Sequence, residues 1–193
     1  MRAFWLIAPY AAWMALMAAL PATAAGYAVR TAVTAALLVP TLGAWAAGGC
    51  RGITRALAWG VPVGLAVFVL WVLPEQFDWP WYGRFCVVGE GGTCGVETAG
   101  AALLAARLFG SAFVIAVAEE LFFRKWLVGF AGFWWMVALF AVEHDRWLVG
   151  AVAGVVYGLL YLRRGLGAAI MAHVTTNLVL GLWVIGSGQW QFW

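Results

Sequence analysis

The sequence predicts an all-α fold, a polytopic transmembrane bundle of about seven helices forming one domain over residues 1–193. Three observations carry this. Of the 193 residues, 66% are hydrophobic and only 10% are charged, where a soluble domain carries roughly twice that share of charge. The mean hydropathy is +0.94. Apolar runs close to the ~20 residues that cross a bilayer recur along the chain, punctuated by glycine, proline or clustered charge. The 14 tryptophans suit aromatic belts at two membrane interfaces. The net charge of +3 does not point to nucleic acid, because the basic residues fall in pairs at helix ends with no patch or stripe. There is no phosphate loop, no Cys-x-x-Cys, no His-Glu-x-x-His and no internal repeat.

Met1-Arg2, the apolar run Phe4 to Leu20 and the small residues after Pro21 have the outline of a signal peptide. The run is longer than a signal core, and it predicts the first transmembrane helix. The second is expected from about Tyr27 to Ala47, ended by the turn Gly48-Gly49-Cys50-Arg51-Gly52. The third is expected from about Ile53 to Leu73 and carries Pro62. These helices make an N-terminal unit over residues 4–73. Residues 74–98 differ: Glu75, Asp78, Arg84, Glu90 and Glu97, three glycines and the cluster Trp79-Pro80-Trp81-Tyr82 predict a solvent loop with an interfacial anchor. Cys86 and Cys94 lie in it, as a disulfide or as free thiols.

The fourth helix is expected from about Ala99 to Val128, followed by a turn over Gly129 to Gly132, and the fifth from Phe133 to His144. Asp145-Arg146 breaks the pattern. The sixth is expected from Trp147 to Leu162, with Gly150, Gly154 and Gly158 spaced for close helix packing. Arg163-Arg164-Gly165 ends it, the seventh runs from Leu166 to about Ile185, and the tail from Gly186 to Trp193 is expected at the interface. Placing Arg2, Arg51, Arg55, Arg124, Lys125, Arg163 and Arg164 on the cytoplasmic side puts the N-terminus inside, the C-terminus outside and loop 74–98 outside.

Ionisable groups are rare in apolar helices and usually functional. Glu119, Glu120, Arg124 and Lys125 stand together near the end of the fourth run. Glu120 and Arg124 are i,i+4 and can pair, while Glu119 points about 100° away. Taken alone, this fits a carboxylate–arginine knot pinning two helices. The histidines change the reading. His144 and His173 are the chain's two histidines. Counting along the helices from their turns puts Glu119 and His144 about 18–20 Å from one side and His173 about 14 Å from it. Asn177 is one turn further along the same face. A carboxylate and a neutral imidazole can hold one water and take its proton. A second imidazole and a carboxamide, i and i+4, can donate to the oxyanion formed when water adds to a carbonyl. No Ser, Thr or Cys is placed as a nucleophile, and Ser111 lies about two turns before Glu119. The chemistry points to direct attack of water on an amide.

Glu119-Glu120-x-x-x-Arg124, Phe140-x-x-x-His144 and His173-x-x-x-Asn177 resemble, in order, the three motifs of the CPBP family of CAAX prenyl proteases and bacteriocin-processing proteins, regarded as glutamic intramembrane endopeptidases. The resemblance covers about residues 100–185, within a motif-bearing core of about 99–185. It implies Glu119 and His144 as the water-activating pair, His173 and Asn177 as the oxyanion hole, and Glu120 and Arg124 as a supporting pair. It implies no metal and no cofactor, and a membrane-anchored protein as substrate. The chain is short beside the eukaryotic prenyl-protein members and has fewer crossings. Glu143-His144-Asp145-Arg146-Trp147 and Gly188-Gln189-Trp190 are similar to the bacterial branch associated with exosortase-type C-terminal sorting. This implies a bacterial inner membrane and a substrate with a C-terminal sorting helix. Two rivals stand beside this reading. One is a zinc protease with both histidines and Glu119 as ligands; Asn177 suits zinc poorly. The other is a non-enzyme, a small transporter or immunity protein relaying protons through its buried Glu and His.

Overall fold

A computed structural model describes residues 3–21, 23–41, 49–77, 79, 81–83 and 100–192. Cys86 and Cys94, with most of the acidic loop, lie outside the described residues. The fold is an all-α bundle with seven principal helices among the described residues: α1 (Ala3–Ala19), α2 (Ala24–Leu38), α3 (Gly49–Gln76), α4 (Ala101–Ala131), α5 (Phe133–Val142), α6 (Trp147–Arg164) and α7 (Leu166–Ser187). Helices α3, α4, α6 and α7 are long and apolar enough to cross a membrane; α1 and α5 are apolar but shorter. The polarity is that of a membrane protein. Phe130, Trp134 and Val142 are more than 70% exposed, whereas Glu120 and Arg124 are fully buried.

Element boundaries follow local chemistry. Thr23 caps α2, its Oγ1 accepting from Gly26 N–H at 3.2 Å. Gly132 (φ 94°) and Gly165 (φ 89°) make the α4–α5 and α6–α7 turns, backbone that side chains with a Cβ adopt poorly. The first of these turns is one residue, so α4 runs on through the expected Gly129–Gly132 turn. Helix α5 ends at Val142, two residues before His144, which sits in the turn leading to α6. Helix α3 continues past Pro62 and Pro74 to Gln76.

Helix α4 divides the bundle into two layers. One face packs on α1 and α2 through Leu6, Trp13, Leu38, Ile115 and Leu121. The other joins α3, α5, α6 and α7 around Phe123, Met136, Phe140 and Tyr157. The glycine stripe of α6 seats α5, since a Cβ at Gly158 would stand 2.7 Å from Phe133 and 2.8 Å from Met136. A second small-residue seam, not read from the sequence, joins α3 to α7: a Cβ at Gly60 would meet Met171 Cβ at 2.5 Å, and one at Gly64 would meet the Ala172 carbonyl oxygen at 2.4 Å. Small residues let two backbones approach where no hydrophobic effect drives helices together. Gly64→Ala is therefore expected to cost about 1–3 kcal/mol through overpacking, read as a lower melting temperature in detergent. Gly52→Ala, whose Cβ meets nothing within 4 Å, is the control and leaves melting unchanged or slightly raised. Equal melting of the two variants would refute the seam.

Candidate active site

The site is built where α4 departs from α-helical winding. Gly110–Ile115 and Glu120–Leu127 are π-helical, with an α-turn, Ala116–Glu119, between them. A π turn closes i→i+5 bonds, so successive side chains fan out less than the ~100° of an α-helix. Glu119 and Glu120 consequently both reach α7. His173 Nδ1 lies 2.9 Å from Glu120 Oε1, and His173 Nε2 lies 3.6 Å from Glu119 Oε2. Glu119 is thus not turned away from its neighbour's partner, as an ideal α-helix would have it.

Glu120 is the hub of the buried charge. Arg124 Nη1 pairs with its Oε1 at 3.2 Å, and both side chains are fully buried. The guanidinium lies over the Phe140 ring at 4.1 Å and near Tyr157 at 5.5 Å, so aromatic faces serve as its other neighbours. Arg124, expected among the basic residues that set orientation as well as beside Glu120, is an interior residue. His173 is clamped further by Tyr157, stacked on it at 5.0 Å. The Tyr157 hydroxyl donates to Thr176 Oγ1 at 2.6 Å, which lies 2.8 Å from the Gly64 carbonyl oxygen. The α3–α7 seam is therefore coupled to the histidine.

His144 comes from the turn after α5. Its Nδ1 is 2.7 Å from the Phe140 carbonyl oxygen, so Nδ1–H donates there and Nε2 carries the lone pair. Phe140 does double duty, since its ring also packs on His144 at 4.7 Å. Trp71 of α3 meets the His144 ring edge-on at 5.3 Å. Asn177 Nδ2 donates one hydrogen to the Ser111 carbonyl oxygen at 3.0 Å, which leaves its second N–H. A cavity of about 190 Å³ is walled by His144, His173, Asn177, Ser111, Trp71 and Phe192, ample for several waters. Phe192 reaches it because the terminal turn, Trp190–Phe192, folds inward. Phe192 is buried and Arg146 lies over its ring at 4.4 Å. Arg146 is held in turn by Glu75.

Sequence reasoning missed Glu143 and Tyr10. Glu119, Glu143 and His144 each offer one ligand-type atom, all within 4.8 Å of one another. Tyr10 Oη donates to Glu143 Oε2 at 2.6 Å. A carboxylate directly before a histidine at the end of an apolar helix was the available signal for Glu143. Nothing in the sequence ties Tyr10 to it, 133 positions away. By donor type the set Glu119, Glu143 and His144 could take a divalent cation. His173 is not in that set, so the grouping of both histidines with Glu119 is not the one that forms. Glu143 already has Tyr10 as a partner.

Compared with known families, residues 100–179 match the model described as Type II CAAX prenyl endopeptidase Rce1-like. The matched stretch holds Glu119, Glu120, Arg124, His144, His173 and Asn177; Tyr10 and all of α1–α3 lie outside it. No curated protein and no solved structure matches the chain.

Proposed function

We propose that this protein is an intramembrane endopeptidase that hydrolyses a peptide bond of a membrane-anchored protein by attack of water activated by Glu119 and His144. One observation carries the reading: Glu119 is buried, its Oε2 has no hydrogen-bond partner, and its carboxylate comes within 4.8 Å of a ring nitrogen of His144, which lines a cavity together with His173 and Asn177. One water at hydrogen-bond distance, about 2.8 Å, from each group bridges such a span. The similarity of residues 100–179 to a prenyl-protein endopeptidase family supports the same reaction class.

The steps follow from the donors. Glu119 takes a proton from the bridging water as its oxygen bonds to the scissile carbonyl carbon, and His144 Nε2 accepts the water's other hydrogen bond. The new oxyanion accepts from the free Asn177 N–H and from His173. His173 already directs Nδ1 at Glu120, so donation from Nε2 needs a second ring proton; the flanking Glu119 and Glu120 carboxylates are the counterions that would hold it. Glu119 then returns its proton to the departing amine, and the products are a carboxylic acid and an amine. Glu120 and Arg124 set the tilt of His173 and carry no proton in the reaction.

The substrate follows from the setting. The site lies inside a bundle whose outer surface is apolar, so the scissile bond arrives on a membrane-anchored segment. The sequence segments around Glu143 and Gly188 favour a protein with a C-terminal sorting helix over a prenylated tail. Co-expression with two tagged reporters decides it, one ending in a farnesylated CAAX tail and one in a transmembrane sorting helix. Cleavage of neither would sink the hydrolytic reading. The host expected is a bacterium, with the N-terminus on the cytoplasmic side. Thiol labelling of Cys86 and Cys94 from outside intact cells checks that orientation, and labelling only after lysis contradicts it.

The mechanism needs no metal. Cleavage by the purified protein is expected to survive strong chelators, and Asn177→Ala is expected to lower kcat by about 10²–10³-fold, the usual loss for one oxyanion donor. Stoichiometric zinc, with activity lost on stripping and regained on addition, would make Glu119, Glu143 and His144 ligands instead.

A further inference from the structure

Glu143 lies outside the three motifs, yet one of its carboxylate oxygens comes within 4.8 Å of one from Glu119, the proposed base. Two ionised carboxylates have only acceptors and repel at that separation inside the bundle, and one proton held by the pair relieves the repulsion. The neighbours agree. The groups facing the pair are Tyr10 from α1, Glu120 and Arg124 from α4, His144 from the turn and His173 from α7. Arg124 is the one permanent cation among them, and it is ion-paired with Glu120. Two buried carboxylates and the half-buried Glu143 against one guanidinium leave uncompensated charge, and a proton on the pair removes part of it. Tyr10 decides which oxygen of Glu143 carries nothing, because its hydroxyl donates to Oε2 at 2.6 Å. The Tyr10 ring is fixed by stacking on Phe122 at 4.5 Å and meeting Phe123 edge-on at 5.3 Å. Helix α1 is therefore anchored to the same stretch of α4 that bears Glu119.

We infer that Glu143, oriented by Tyr10, is a positioning residue that shares one proton with Glu119 and so holds the Glu119 carboxylate toward the water it activates. The role, though not the shared proton itself, rests on the hydrolytic reading above. Helix α1 thereby becomes part of the active-site apparatus even though it lies outside the stretch similar to the endopeptidase family.

Infrared spectroscopy of the purified full-length protein in detergent at neutral pH tests the proton directly, through the C=O stretch of a buried carboxylic acid. The parent should show the band. Glu143→Gln and Glu119→Gln should each remove it, and Tyr10→Phe should shift it to higher frequency, because the acid's carbonyl loses a donor. The Tyr10→Phe change is conservative and keeps the test alive if a glutamate variant fails to fold. A parent without the band, a band surviving in Glu143→Gln, or one unmoved by Tyr10→Phe overturns the inference. So does bound stoichiometric zinc in a protein lacking the band. On the reporter the parent cleaves, Glu143→Leu should lower kcat by about 10²-fold with KM little changed, and Glu143→Gln should recover part of the loss. A band present in a protein that cleaves neither reporter sinks the hydrolytic reading and leaves the shared proton standing. Cleavage without the band does the reverse.

Discussion

Glu119→Gln is expected to lower turnover by about 10⁴-fold, the upper end for a lost general base, while the protein still folds and binds its substrate. The substitution is nearly isosteric. The carboxamide can still face Glu143 and His173, so packing around a residue only 7% exposed is retained. What disappears is the capacity to take a proton from water. The measurement is single-turnover cleavage of the reporter by purified variant and parent, with crosslinking of uncut reporter to the variant as the binding check. Substantial cleavage by Glu119→Gln would remove Glu119 from the role of base. Loss of both cleavage and binding would make the residue a structural one, as in the carboxylate–arginine knot. His144→Ala should be nearly as severe, because it deletes the other side of the water site.

The largest loss of stability should come from Arg124→Ala. Arg124 and Glu120 are fully buried and 3.2 Å apart. Removing one partner of a buried ion pair leaves the other charge stranded and costs about 3–5 kcal/mol, a large part of the stability of a typical domain. Glu120 would then have His173 alone for compensation. Arg124→Lys should recover little, because the planar guanidinium also lies over the rings of Phe140 and Tyr157, which a compact ammonium does not match. The double variant Arg124→Met with Glu120→Gln should be milder than Arg124→Ala. It strands no charge, and its carboxamide oxygen still accepts from His173. Thermal unfolding in detergent reads all of these. A melting temperature for Arg124→Ala equal to the parent's would mean that the pair contributes nothing to the fold.

Glu119, Glu120, Arg124, His144, His173 and Asn177 were all legible in the sequence, because an ionisable or amide side chain in an apolar helix is too costly to be incidental. The all-α membrane class was legible for the same reason: a chain with 10% charge leaves little choice but helices whose backbone bonds are satisfied internally. The Gly150, Gly154 and Gly158 stripe was legible from its i,i+4 spacing.

Tertiary structure alone decided how those residues meet. An α-helical wheel separates Glu119 from Glu120; the π turns of α4 bring both onto His173, and a change of winding leaves no pattern in composition or period. Gly60 and Gly64 stand at the same i,i+4 spacing as the stripe on α6, but which helix they receive depends on the order of packing, and that order is set by surfaces distant in sequence. The pairing of Arg124 with Glu120 is readable from their spacing, but its place among the orientation-setting basic residues is not kept: its ion pair and aromatic neighbours make it interior. Glu143 is half-buried beside Glu119, and Tyr10 reaches it from 133 residues away. Which chemical groups the membrane interior must accommodate follows from composition and order alone, because the cost of burying them is a property of each side chain. The structure decided which of them lie within reach of one another, because that depends on a few ångströms of separation between helices that no single helix specifies.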